Sequence, residues 1–297
     1  MSSNENKNNM SLVVFEPSKM VNIPSPAIHI ENNISLLQKK LWFELIYQAL
    51  PKMGAEREYS ITLKKLKESL GWSDTTSNDK KLKEALRGLK NTEVSWNIFG
   101  KDKKHVWETY SLLAGCQIPE QSGMCFYDFS IFLEKRFLAM GEEAYVKIDL
   151  IISKKFQSKY AMSLYCLALD YLIIENNYSE KKFTISELRR YLALNESEYK
   201  LNADMNRWIF KPAQNEINEI SDMHLEIKPL REEGGKKITH YKLCMSLKED
   251  RVKDYLKKKE TFKQIESKQT NIFEDIEVRE IETIKTQSIK PEVKPKT

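Results

Sequence analysis

Cysteine and histidine are scarce in this sequence, and neither is arranged for chemistry. The four cysteines among 297 residues (Cys116, Cys125, Cys166, Cys244) form no C-x-x-C pair. The histidines His29, His105, His224 and His240 stand apart, the nearest two separated by 240 − 224 = 16 positions. A structural zinc needs clustered thiolates or imidazoles to complete a tetrahedron, so no metal site is expected. The cysteines read instead as reduced, half-buried fillers. No H-x-H pair exists to hold a catalytic metal beside a tyrosine nucleophile, and no G-x-x-x-x-G-K-[ST] phosphate loop occurs. The chain is therefore read as no enzyme, with no cofactor and no catalytic residue. No run approaches the roughly 20 apolar residues of a membrane span. The first ten residues are polar and Asn-rich, unlike the apolar centre of a signal peptide. A cytoplasmic protein without membrane contact is expected.

What is present is charge and repetition. Charged residues make up 31%, above the usual share of roughly 25%, while a hydrophobic fraction of 41% still permits real cores. The length suits about two domains. The net charge of +5 is mild, so where the lysines fall matters more than their number.

The pattern of elements occurs twice. Leu41-Trp42-Phe43-Glu44-Leu45 lies in an amphipathic helical stretch, and Leu164-Tyr165-Cys166-Leu167-Ala168-Leu169 lies in another. Ile61-Thr62-Leu63-x-x-Leu66-x-x-x-Leu70 follows the first, and Phe183-Thr184-Ile185-x-x-Leu188-x-x-x-Leu192 follows the second. The offsets are 164 − 41 = 123 and 184 − 62 = 122. In each copy a longer polar-faced helix comes next, so the chain reads as two tandem helix-turn-helix units.

The details support a wing after each unit. Residues 1–30 lack helical periodicity, contain Pro17, Pro24 and Pro26, and read as a partly extended arm. From Ile34 the pattern is helical, ending near Pro51 and Gly54, and Thr62 caps a short helix that Gly71 stops. A third helix begins at Asp79. Two alternating segments, 94–99 and 106–113, then flank a turn carrying Lys101, Lys103 and Lys104. Strand 124–129, helix 131–137 and a linker around Gly141 complete the first half. Residues 145–150 alternate like a strand crossing into the second. There, a long helix over 153–174, a short one capped by Thr184, and a third over 204–221 precede a hairpin. The hairpin turn holds Gly234, Gly235, Lys236 and Lys237. The fold class is thus α+β, two tandem winged helices. Its parts are an arm (1–30), a first winged helix (31–140), a second (141–248), and a charged tail (249–297) of disordered composition.

Helices that read DNA offer cations to phosphates and bidentate groups to base edges. In the first unit Lys80, Lys83, Arg87 and Lys90 share one helical face, suited to phosphate, with Arg87 the best base reader among them. In the second, Arg207, Lys211, Gln214, Asn215 and Asn218 share a sector opposite Met205, Trp208, Ile209, Ala213, Ile217 and Ile220. Lys200 precedes that helix. Arg207 suits either a base or a phosphate, and a solvated polar face is the bland alternative for either helix alone. The five tryptophans, possible stacking platforms, read more readily as core. Two features stay open. Pro212 either kinks the third helix or begins its true recognition segment. Glu216, on the inward sector, either meets a buried cation or is rotated outward.

Three passages resemble the iteron-binding plasmid replication initiators, the Rep proteins with two winged helices. They are Ser158-Lys159-Tyr160-Ala161-x-x-Leu164-Tyr165, then Phe183-Thr184-Ile185-x-x-Leu188-Arg189-x-Tyr191-Leu192, then Tyr199-Lys200 with Lys211-Pro212-Ala213-x-x-Glu216-Ile217-Asn218. The likeness spans about residues 31–247; the tail after Lys248 departs from it. The resemblance implies binding to double-stranded direct repeats at a bacterial plasmid origin and opening of an adjacent AT-rich stretch. It further implies recruitment of the host initiator and helicase, a monomer–dimer equilibrium through the first winged helix, and autorepression. It also makes Glu216 a family feature. A transcriptional regulator without an initiator role, or a protein–protein adaptor, would use the same architecture.

Overall fold

A computed structural model describes residues 19–31, 33–95, 109–138, 145–173, 176–231, 235 and 237–249. The described residues up to Ser246 form one compact unit, and a second begins at Leu247.

Strand β1 (Met20–Pro24) and the short helix α1 (Ser25–Ile28) lead into helix α2 (Leu36–Ala49). Ser35 starts α2 with a capping box: its hydroxyl accepts from the Gln38 N–H at 3.2 Å, and Gln38 Oε1 accepts from the Ser35 N–H at 2.7 Å. The stripe Leu41, Leu45 and Ile46 is buried, as its spacing predicts. Strand β2 (Tyr59–Thr62) runs into α3 (Leu63–Ser69), where the Lys65 N–H donates to the Thr62 hydroxyl at 3.1 Å. Gly71, at φ 76°, takes the left-handed position after α3.

Helix α4 (Thr76–Asn91) starts three residues earlier than Asp79 and buries Leu82, Ala85, Leu86 and Leu89. Strands β3 (Glu93–Ser95) and β4 (Thr109–Ser111) pair antiparallel as the base of the expected hairpin. Its tip, with Lys101, Lys103 and Lys104, lies outside the described residues. Strands β5 (Gly115–Gln117) and β6 (Met124–Asp128) complete a sheet of order β2-β6-β5, and α5 (Ile131–Leu138) follows. Three buried polar groups of this core find partners. The Trp42 indole donates to the Leu112 carbonyl at 3.0 Å, the Tyr127 hydroxyl to the Leu45 carbonyl at 2.8 Å, and the Tyr59 hydroxyl to Glu134 at 2.7 Å. Burial, then the Glu134 bond, pushes the Tyr59 phenol far up.

The second half repeats this order. Strand β7 (Tyr145–Asp149) and α6 (Leu150–Lys155) precede α7 (Lys159–Tyr171), β8 (Ser179–Thr184) and α8 (Ile185–Tyr191). Then come α9 (Asn202–Met205), a π-helical turn over Asn206–Phe210, and α10 (Lys211–Ile220). Strands β9 (Met223–Arg231) and β10 (Ile238–Leu247) join β8 in a sheet of order β8-β10-β9. Thr184 caps α8 in a full capping box with Glu187.

The duplication therefore reaches further back than periodicity revealed. Each winged helix is preceded by a strand and a short helix, offset by 145 − 20 = 125 positions. The two leading strands pair with each other, antiparallel, from Met20↔Asp149 to Pro24↔Tyr145. The helix expected over 153–174 is in fact two. Asp149 caps α6 through the Ile151 N–H at 2.9 Å; Phe156 turns extended (φ −57°, ψ 139°), and Ser158 caps α7. Lys40 of α2 closes the break by donating to the carbonyls of Lys154 and Phe156 at 2.8 and 2.6 Å.

Glu216 explains its inward position here. Its Oε1 accepts from the Gln157 N–H at 2.5 Å and the Ser158 N–H at 3.3 Å, so a carboxylate of α10 sits at the N-terminus of α7. Lys40 lies close by: burial lowers its pKa, and the Glu216 charge partly restores it. Other contacts also join the halves. His29, fully buried, stacks on Tyr171 (centroids 5.5 Å apart) and stands 2.7 Å from Asp170, while Arg190 meets Glu31 at 2.5 Å.

Glu216→Ala removes the acceptor at α7 and should cost about 1–2 kcal/mol. Glu216→Gln, which keeps an oxygen there, should lose less. Urea unfolding checks both; equal stability of Glu216→Ala and the parent would remove the cap from this account. Lys67 supplies a second test. Buried on α3, it pairs with Asp74 and, at 2.6 Å, with Asp79 on the first turn of α4. The hydrogen bonds its ammonium donates to Asp74, and then to Asp79, raise its pKa. Because the folded value is the higher one, this stabilisation is complete below the ordinary lysine range and is lost only as pH rises beyond it. Lys67→Met should therefore melt below the parent, by a similar margin at pH 7 and pH 9. A margin present at pH 7 and gone at pH 9 would contradict the assignment.

Candidate nucleic-acid interface

The outer face of α4 emerges directly from its inner one. With Leu82, Ala85, Leu86 and Leu89 turned to the core, Lys80, Lys83, Arg87 and Lys90 are all exposed. They stand on the second helix of a helix-turn-helix whose turn is held by Lys67. Gly88 faces the other way: a Cβ there would lie 1.7 Å from the Gln38 amide nitrogen, so its bareness leaves room for the side chain that completes the capping box of α2. The basic face extends towards β5. At Cys116, burial raises the thiol pKa, and the cations of Lys90 and Arg87 work against that rise.

In the second unit a single side chain organises the turn before the recognition helix. Arg189 of α8 donates to the carbonyls of Asn195, Glu198 and Tyr199 at 2.5, 2.8 and 3.1 Å. Tyr199 is left-handed at φ 46°, and Lys200 follows it, exposed. The sequence marked Arg189 only as part of a motif; three bonds from a planar guanidinium to backbone carbonyls are a tertiary feature that spacing does not display.

Pro212 neither breaks the helix nor ends it. It stands in the first turn of α10, and the preceding turn widens so that the Lys211 N–H reaches the Asn206 carbonyl. Backbone angles remain helical at Asn206 (φ −64°, ψ −44°) and Lys211 (φ −64°, ψ −46°). The wide turn changes which residues face inward. Met205, Ile209 and Phe210 are buried with Ala213 and Ile217, but Trp208 is 57% exposed. Trp208 therefore does not belong to the inward sector, and Phe210 takes that role. The Arg207 guanidinium lies 4.7 Å from the Trp208 ring centre. Of the other tryptophans, Trp42 is core, Trp72 is half-buried, and Trp96 and Trp107 lie outside the described residues.

The five polar residues of this helix fall into two groups. Arg207, Lys211 and Asn215 are exposed. Gln214 and Asn218 are half-buried against β9. Gln214 Oε1 accepts from the Ile227 N–H at 2.8 Å; Asn218 accepts from the Leu225 N–H at 2.7 Å and donates to the Leu225 carbonyl at 2.9 Å. A bidentate contact to adenine would have to release these bonds. At the wing, Lys237 is exposed and Lys236 lies outside the described residues. Among the described residues no group of three or more histidine, cysteine or acidic side chains is placed to hold a metal, and no helix is long and apolar enough to cross a membrane.

Known proteins sharpen this picture. Residues 24–169 match the family model described as initiator replication protein, WH1, and residues 184–243 match that of initiator Rep protein, WH2. No curated protein matches in sequence. Among solved structures, the Pi initiator protein in complex with iteron DNA matches at 16% identity with a TM-score of 0.60, covering 78% of this chain and 98% of that one. Domains 2 and 3 of RctB match at 13% identity and a TM-score of 0.48, covering 72% of this chain and 83% of that one. With both winged-helix models matched in order across two duplicated halves, the chain belongs to the family of Rep replication initiators.

Proposed function

We propose that this chain is a plasmid replication initiator that binds double-stranded direct repeats at its origin, reading them with both winged helices. The observation that carries this reading is the pair of helices α4 and α9–α10. Each is the outer helix of a helix-turn-helix, each is followed by a hairpin, and each turns cations to solvent. Lys80, Lys83, Arg87 and Lys90 contribute phosphate contacts, and so do Lys101, Lys103 and Lys104 of the first wing. In the second unit Arg207, Lys211 and Asn215 face the bases, while Lys200, Lys236 and Lys237 hold phosphates. Gln214 and Asn218, hydrogen-bonded to β9, lie behind that row.

The Pi protein, similar in fold along most of this chain, is seen on iteron DNA, which favours direct repeats as the ligand here. Two reading helices in one chain need an asymmetric site spanning adjacent major grooves, which a monomer can occupy. The same proposal includes origin opening, recruitment of the host initiator and helicase, and autorepression as a dimer, roles that the resemblance to the family favours. They take place in the bacterial cytoplasm.

Selection from a random double-stranded pool at ~150 mM salt, where nonspecific binding is already weakened, tests the reading. One asymmetric motif should be enriched, and repeats of it should support maintenance of a plasmid that encodes the protein. Enrichment without maintenance would favour a regulator, and no enrichment by the folded protein would reject DNA reading altogether. Arg207→Ala and Asn215→Ala should each reduce discrimination by roughly 1–3 kcal/mol. Lys83→Ala with Lys90→Ala should weaken binding to every sequence and lower the salt slope by up to about two. An unchanged slope would take α4 off the phosphates.

A further inference from the structure

Strand β9 lies at the edge of its sheet, with β10 on one side and, among the described residues, no strand on the other. An open edge leaves alternate N–H and C=O groups without partners, and here the missing partners come from a helix. Leu225 and Ile227, two apart on β9, direct their backbone groups away from β10, and Asn218 and Gln214, four apart on α10, meet them. The spacings match. Four residues of helix rise about 6 Å, and two residues of strand span about 6.7 Å. The Asn218 amide both accepts from and donates to Leu225, as a neighbouring strand would. The Leu225 side chain is 1% exposed, so water has little access to replace these bonds.

We infer that Gln214 and Asn218 are positioning residues, a brace that fixes the recognition helix against its wing, and that base reading falls to Arg207, Lys211 and Asn215. This inference rests on the DNA-binding reading above. Arg207, Lys211 and Asn215 can reach a groove only at the angle the brace sets relative to β9 and β10, and Lys237 stands immediately before that second strand. Brace and wing contact should therefore be coupled. If the helix shifts on the wing, Lys237 and the reading residues can no longer engage the duplex together.

The experiment repeats the random-pool selection with Gln214→Ala and Asn218→Ala, and measures affinity for the parent motif with and without Lys237→Ala. Both variants should melt several degrees below the parent and select the same bases. Their affinity should fall about tenfold, and the loss caused by Lys237→Ala in the parent should largely vanish in them. Loss of preference at particular base positions, with the Lys237 effect intact, would make Gln214 and Asn218 readers and overturn the brace. Unchanged affinity and unchanged coupling would overturn it too. Should the alanine variants not fold, Gln214→Glu decides the point. It keeps the oxygen that accepts from Ile227 and removes the amide donor that adenine requires, so the selected motif should be unchanged with uniformly weaker binding. A changed motif would reject the proposal. A parent protein that selects no motif would instead reject DNA reading, leaving the two failures distinct.

Discussion

The architecture depends on the pairing of β1 with β7. In both strands the second, fourth and fifth residues are buried: Val21, Ile23 and Pro24 on one side, Val146, Ile148 and Asp149 on the other. Two equivalent strands that pair antiparallel are related within the ribbon by an approximate two-fold turn. A one-residue slip would turn Val21 and Ile23, with Val146 and Ile148, to the opposite face, so the register is strongly specified. Lys19 adds a lock at the start of β1. Its ammonium donates to both oxygens of the buried Glu44 on α2, at 2.6 and 2.5 Å, and its carbonyl accepts from the Leu150 N–H at 2.8 Å.

Beyond that ribbon, Lys40 of α2 closes the end of α6 and Lys39 donates to Ser163 on α7 at 2.7 Å, which ties the first half to the second, while within the second half Glu216 of α10 meets the start of α7. Burial lowers the pKa of Lys39, and the charge of Lys159 adds to that lowering. Helix ends carry unsatisfied backbone groups and partial charge, so a side chain from another element that supplies the missing partner both satisfies and orients them. Such ties are specific to one arrangement. Bulk apolar burial alone would tolerate several.

Much of this was legible in the sequence, because helices announce themselves through period and caps. The stripe of α2, the caps at Thr62 and Thr184, Gly71 after α3, and the basic face of α4 followed from spacing. The β1–β7 ribbon did not. Two five-residue strands, one running into Pro24, pair across more than a hundred residues, and nothing local names the partner. The break at Phe156 was hidden by apolar residues on both sides of it, although Asp149 and Ser158 were each a visible cap. Trp208 went astray because a wheel of constant pitch cannot represent the wide turn before Pro212. At the candidate interface, exposed cations were easy to place, since lysine on the face opposite a leucine stripe has nowhere else to go.

Amides were the harder case, and the reason is general. Glutamine and asparagine offer a donor and an acceptor to whatever lies within reach, a base edge or an open backbone. A polar sector on a helix beside an edge strand must serve both, and sequence periodicity gives the sector without dividing it. The dividing line in α10 is set by its neighbours. Ala213 and Ile217 face the core, Glu216 faces α7, and Gln214 and Asn218 face β9, so only a narrow row through Lys211 and Asn215 remains for an outside partner. The helix is held on both flanks by its own polar groups. A reading surface pinned in this way loses little freedom on binding, and preorganisation of that kind is what lets a few outward groups discriminate between bases.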